Sequence, residues 1–92
     1  MLDVRYSAQF RKDYKLMKKR GLPLDLLHDI VERLRSGLPL PERCRDHALI
    51  GDYDGFRECH IRPDWLLIYR ITGTELILVL QRTGTHADLF FE

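Results

Sequence analysis

Ninety-two residues, 45% apolar and 32% charged, can build one modest core and not two, because a short chain buries a smaller share of its surface. No run approaches the roughly 18 apolar residues of a membrane span, and Met1 leads straight into LDVRY without the basic, apolar and small-residue pattern of an export signal. A single domain over residues 1–92, working in the cytoplasm and not in a membrane, is the expectation. The net charge of +1 conceals an asymmetry: residues 1–20 carry seven Lys/Arg against two Asp/Glu, so the basic end is where a polyanion would bind.

Leu2 to Tyr6 alternates apolar and polar side chains, the period of a short strand. Ser7 suits an N-cap, and Phe10, Tyr14 and Met17 then recur at helical spacing up to Arg20, with Lys12, Lys15, Lys18 and Lys19 filling the outer faces. Gly21 ends this helix. Pro23 opens a second, whose stripe of Leu24, Leu27, Ile30, Val31 and Leu34 stops at Ser36-Gly37. His28, beside Asp29 on the outer face, reads as solvated. LPLPERCRDH, with two prolines and no period, reads as loop. After the Asp54-Gly55 turn come three strands, FRECHI, WLLIYRI and ELILVLQR, joined by tight turns into an antiparallel meander. Thr83-Gly84-Thr85 reads as a further turn. The order is that of an α+β domain: an N-terminal strand, a two-helix hairpin, then a three-stranded meander, with the helices on one face of the sheet.

Period 2 puts Phe56, Glu58 and His60 on one face of their strand and Arg57, Cys59 and Ile61 on the other. A carboxylate and an imidazole therefore share a side. Asp46 and His47 precede this strand, Asp64 and Trp65 follow it, and Arg82 and His86 follow the last strand, so a meander can gather them. Gathered, two imidazoles can give and take a proton in one turnover, Arg82 can hold phosphate oxygens, and Trp65 or Phe90 can stack on a base. That set suits a ribonuclease without a metal, in which a 2′-hydroxyl attacks the adjacent phosphate. Taken singly, each histidine also fits a structural hydrogen bond, Trp65 fits a core and the basic helix fits a solvated face. Cys44-x-x-His47 with Cys59-His60 can be drawn as a zinc set, but the spacing between the pairs matches no standard knuckle. No metal or other cofactor is expected, and the cysteines read as reduced thiols.

Asp46-His47 with Leu49 and Gly51, Arg57-Glu58-Cys59-His60-Ile61, Pro63-Asp64-Trp65-Leu66-Leu67-Ile68-Tyr69 and Arg82-Thr83-Gly84-Thr85-His86 together closely resemble the YafQ branch of the RelE/ParE toxin superfamily, over nearly the whole chain. The resemblance implies a bacterial type II toxin: an mRNA interferase that enters the ribosomal A site and cuts the message there. It implies the same RelE-like fold and places the functional histidines at His47, His60 and His86, the acidic residue at Asp64, the tryptophan at Trp65 and the C-terminal aromatic at Phe90. His86 leads as the proton-transfer residue, with His47 and His60 supplying the complementary proton or holding phosphate. Glu58 stands where the family pattern has aspartate, which keeps the charge and shifts its position. Arg82, Lys15, Lys18 and Lys19 complete the expected RNA contacts. A cognate antitoxin is implied as partner, with a segment that orders over the basic surface or the histidines. Two other readings use the same scaffold: a ParE-like toxin that binds DNA gyrase without cutting RNA, and a non-toxic binding module with structural histidines.

Overall fold

A computed structural model describes residues 1–74 and 76–90. The elements are β1 (Asp3–Tyr6), α1 (Ala8–Lys19), α2 (Leu24–Arg35), β2 (His47–Ala48), β3 (Arg57–Arg62), β4 (Trp65–Ile71), β5 (Ile77–Gly84) and α3 (His86–Phe90), with single 3-10 turns at Glu42–Cys44 and Gly51–Tyr53. They form one five-stranded sheet in the order β1-β5-β4-β3-β2. The three meander strands and β2 pair antiparallel, while β1 pairs parallel to β5 through Asp3–Tyr6 against Ile77–Leu80.

The expected hairpin of helices forms for the expected reasons. Ser7 caps α1, its hydroxyl accepting from the Phe10 amide at 2.9 Å, and Lys18 and Lys19 lie in the last turn, where the helix dipole favours cations. Gly37, at φ 73°, follows the C-cap of α2 in a conformation that only glycine adopts without strain. α1 buries Phe10 and Met17, and α2 buries Leu27, Ile30 and Leu34. These meet Cys59, Trp65, Leu67, Tyr69, Leu78 and Leu80 from one side of the sheet. The other side carries a smaller cluster, Leu66, Ile68 and Leu89, edged by Leu49, Tyr53, Phe56 and Phe90. Period 2 therefore sorts β3 as the sequence suggests, with Phe56 opposite in face to Cys59, and β4 alternates in the same way.

Four features differ from the sequence reading. β5 runs through Thr83-Gly84, so that segment is strand and the turn comes only at Thr85. Pairing with β4 explains this, Leu67 opposite Thr83 and Leu66 opposite Gly84, while at the other edge, beyond Leu80 where β1 ends, the carboxylate of Asp13 accepts from the Thr83 amide at 3.2 Å. His47 is not loop but β2, opposite Glu58. A short α3 follows β5. His28 is not merely solvated: its Nε2 lies 2.8 Å from the Tyr14 hydroxyl and its ring stacks on that tyrosine at 5.9 Å. Glu75, expected to open the last strand, lies outside the described residues. Among the described residues, no helix is long and apolar enough to cross a membrane.

Candidate active site

On the face away from α1 and α2, strand register lines up the chemistry in rows. One row runs His47, Glu58, Ile68, Arg82 across β2, β3, β4 and β5, and the next runs His60, Leu66, Gly84. His86 follows two residues after Gly84, at the start of α3. Three distant stretches of sequence therefore meet at one end of the sheet, as the meander allows.

Glu58 is the buried centre, its side chain 7% exposed. Its Oε1 lies 3.3 Å from His60 Nε2 and 3.9 Å from His47 Nε2. The His47 ring is oriented from behind: Nδ1 sits 2.6 Å from the Arg45 carbonyl, which can only accept, so Nδ1 carries the proton and Nε2 is the atom turned to the carboxylate. His86 is held the same way by a different acid. Asp64 Oδ1 accepts from the His86 amide at 2.9 Å and from His86 Nδ1 at 2.6 Å. These two bonds, the amide first, hold the Asp64 carboxyl below the usual carboxylate range. Asp64 thus fixes the orientation of the His86 ring, which meets His60 edge-on at 5.6 Å. His47, His60 and His86, with Glu58 and Asp64, form one constellation.

Other expected contacts fall differently. Trp65 is 2% exposed and points to the helix side of the sheet, opposite Leu66, with its indole N–H donating to Thr83 Oγ1 at 2.9 Å. This corrects its expected place as a stacking surface, because a ring packed in the core on the far side of the sheet has no face to offer a base. The Arg82 fork is likewise committed: Nε and one terminal nitrogen donate to Asp13 at 2.9 and 3.0 Å, and these bonds raise the guanidinium pKa well above its ordinary value. Arg82 thus ties α1 to the site before it touches any substrate. Lys15, Lys18 and Lys19 are exposed, and the basic end of α1 reaches the site through Arg20, which forms an ion pair with Asp88 of α3 at 2.7 Å.

Phe90 packs edge-on against Tyr53 at 6.0 Å. Both line a cavity of about 300 Å³ with Ile50, Asp52, Arg82 and Leu89. Tyr53 and Asp52 are residues that the sequence reading missed. The available signal was an aromatic just before the Asp54-Gly55 turn, in the same sequence block as His47 and Glu58.

Glu58, His60 and His86 can also hold a metal, since one ligand atom from each lies within 4.8 Å of the others. One carboxylate and two imidazoles suit zinc or copper. No metal was expected, and the zinc set drawn from cysteines does not assemble: Cys44 and Cys59 are buried in the helix-side core, where burial pushes the Cys59 thiol far up.

Three imidazoles and two carboxylates gathered at one end of a small two-helix α+β scaffold are the features this fold and site present. Residues 2–91 match the family model for the bacterial toxin of type II toxin-antitoxin systems, YafQ, and the chain belongs to that family. It is 44% identical over 89 residues to the mRNA interferase toxin YafQ of Escherichia coli strain K12, covering 96% of this chain and 95% of that one. Two solved structures are similar throughout. The metal-bound toxin from Helicobacter pylori has a TM-score of 0.92 at 43% identity, covering 98% of this chain and all of the other. YafQ in the E. coli DinJ-YafQ complex has a TM-score of 0.87 at 43% identity, covering 98% and 99%.

Proposed function

We propose that this toxin is a ribosome-dependent endoribonuclease that cuts mRNA in the ribosomal A site, working in the cytoplasm. The observation that carries the reading is the convergence of three histidines on two carboxylates. A protein that acts only by binding, such as a gyrase-directed toxin, has no need of it. The E. coli relative is an mRNA interferase by name, which supports the same chemistry here.

In this reading the RNA 2′-hydroxyl attacks the neighbouring phosphate. A histidine takes the hydroxyl proton, a second protonates the 5′-oxygen as the P–O bond to it breaks, and the products are a 2′,3′-cyclic phosphate and a 5′-hydroxyl. His86 serves through Nε2, because Asp64 fixes Nδ1–H and the ring plane. His60 and His47, with Glu58 between them, supply the complementary proton and, when protonated, a cation for the phosphate. Asp64 and Glu58 position and never leave their histidines. The base beside the cut would enter the cavity between Tyr53 and Phe90, taking the stacking role that Trp65 cannot play. Lys15, Lys18 and Lys19 would bind ribosomal RNA or mRNA backbone. The DinJ-YafQ complex supports a cognate antitoxin as partner.

The test is product-end chemistry in a translating extract. New fragments with 5′-hydroxyl and 2′,3′-cyclic phosphate ends inside open reading frames, absent when the same RNA is incubated without ribosomes, are expected. Cleavage of free RNA at equal rate would remove the ribosome from the account, and 5′-phosphate ends would remove the mechanism.

A second reading rests on the Glu58, His60 and His86 cluster and on the metal-bound H. pylori toxin. A divalent metal there would engage the lone pairs that must move protons. Micromolar zinc or copper should then suppress cleavage and a chelator should restore it; undiminished cleavage by a protein shown to bind the metal would refute this.

A further inference from the structure

His86 stands on a short helix whose described residues are His86–Phe90. So short a helix has almost no stability of its own, since isolated helices under about 12 residues are marginal in water. Among the described residues its buried apolar anchor is Leu89. What fixes its first turn is Asp88. Asp88 Oδ2 accepts from the Thr85 amide at 2.9 Å, and Thr85 Oγ1 accepts from the Asp88 amide at 3.1 Å, a reciprocal cap of the Thr-x-x-Asp kind. The same carboxylate is gripped by both terminal nitrogens of Arg20, at 2.7 and 3.1 Å, across 68 residues of sequence. Gly84 completes the fit: a Cβ there would stand 2.9 Å from the Asp88 Cβ and 3.0 Å from its Oδ2, so strand and helix can approach this closely only with glycine.

We propose that Asp88 is a positioning residue for His86: with Arg20, Thr85 and Gly84 it forms a latch that clamps the first turn of α3 to the end of α1, so that the His86 amide and ring both meet Asp64. The latch touches no substrate and acts only through His86. It also couples the catalytic helix to the basic end of α1, so a polyanion docking on Lys18 and Lys19 grips the element that sets the histidine's position. The catalytic role of His86 is that of the nuclease reading, on which this inference rests; the clamping of α3 stands without it.

The test has two arms, with Asp88→Ala, Asp88→Asn, Gly84→Ala and the Gly84→Ala/Asp88→Ala double variant. Thr72→Ala serves as a control. Thr72 caps the opposite end of the β4–β5 hairpin, its Oγ1 accepting from the Ile77 amide at 3.1 Å, and it takes no part in the site. In programmed ribosomes Asp88→Ala should lose roughly 10- to 100-fold in kcat with KM unchanged, the cost of a misplaced catalytic group. Asp88→Asn, which can still cap Thr85, should recover part of the rate, and Thr72→Ala should keep all of it. Gly84→Ala should be impaired, and the double variant should be no worse than Asp88→Ala alone, because the added methyl acts by displacing Asp88. In the second arm, hydrogen exchange read by NMR, the His86 amide should lose protection in Asp88→Ala and keep it in Thr72→Ala. Wild-type kcat in Asp88→Ala, or an His86 amide equally protected in that variant, overturns the latch. Absence of cleavage by the wild type overturns the nuclease reading instead, and the exchange arm still decides on the latch.

Discussion

Trp65 and Leu66 are neighbours in the chain yet face opposite sides of the sheet, and the two sides are held by different means. On the helix side, twelve buried residues form one cluster drawn from both helices, the sheet and Cys44, and water is excluded by apolar contact. On the open side, among the described residues, only Leu66, Ile68 and Leu89 form the buried apolar cluster, and around them stand Glu58, His60, Arg82 and His86. A polar group in a buried place costs free energy unless it is paired, and Glu58 and Arg82 are paired, with His60 and Asp13, while the more open His86 is paired with Asp64. One side supplies stability that tolerates imprecision. The other supplies geometry: Asp64 and the Arg45 carbonyl orient the rings of His86 and His47, and Asp13 holds the Arg82 fork.

The contrast breaks most sharply with Leu67→Ala. Leu67 is fully buried on the helix side, and truncating such a residue costs about 2–5 kcal/mol. Chemical denaturation should show that loss, while the cleavage rate per folded molecule stays at the wild-type level. Trp65→Phe is smaller and more diagnostic. Losing the indole N–H bond to Thr83 should cost about 1–3 kcal/mol of stability, and affinity for programmed ribosomes should not change; weaker binding with unchanged stability would return Trp65 to the substrate surface. The smallest effect is a pH dependence. The Arg20 guanidinium first, with the Thr85 cap, holds the Asp88 carboxyl far below its ordinary range. A carboxylate depressed in the folded state stabilises above its unfolded pKa of about 4 and loses that contribution as pH falls through the folded value. The gap in melting temperature between wild type and Asp88→Asn should therefore be constant from neutrality to about pH 4 and narrow below it.

Much of this was legible in the sequence, for identifiable reasons. Period 2 in FRECHI sorts the two faces because side chains must alternate across a strand, and it joined Glu58 to His60. The helices were marked by Ser7, Gly21, Pro23 and Gly37. Other features were not legible because they depend on pairing at a distance. His47 becomes a strand residue only because Glu58 lies opposite, and β1 finds β5 only after most of the chain has intervened. Asp13, on an otherwise apolar face of α1, is explained only by Arg82 and the Thr83 amide. The Thr85-x-x-Asp88 cap was not read, because the helix that it opens is too short to show a hydrophobic period and Thr83-Gly84-Thr85 reads as turn. Trp65 was misplaced because composition alone does not say which face of β4 carries the substrate.

The most direct measurement compares wild type with His86→Ala in a translating extract, mapping RNA ends in open reading frames while circular dichroism monitors the fold. The account predicts that His86→Ala keeps the native spectrum and loses cleavage by at least about 10²-fold, the contribution of a positioned acid or base. A folded His86→Ala protein that cuts at the wild-type rate would contradict it.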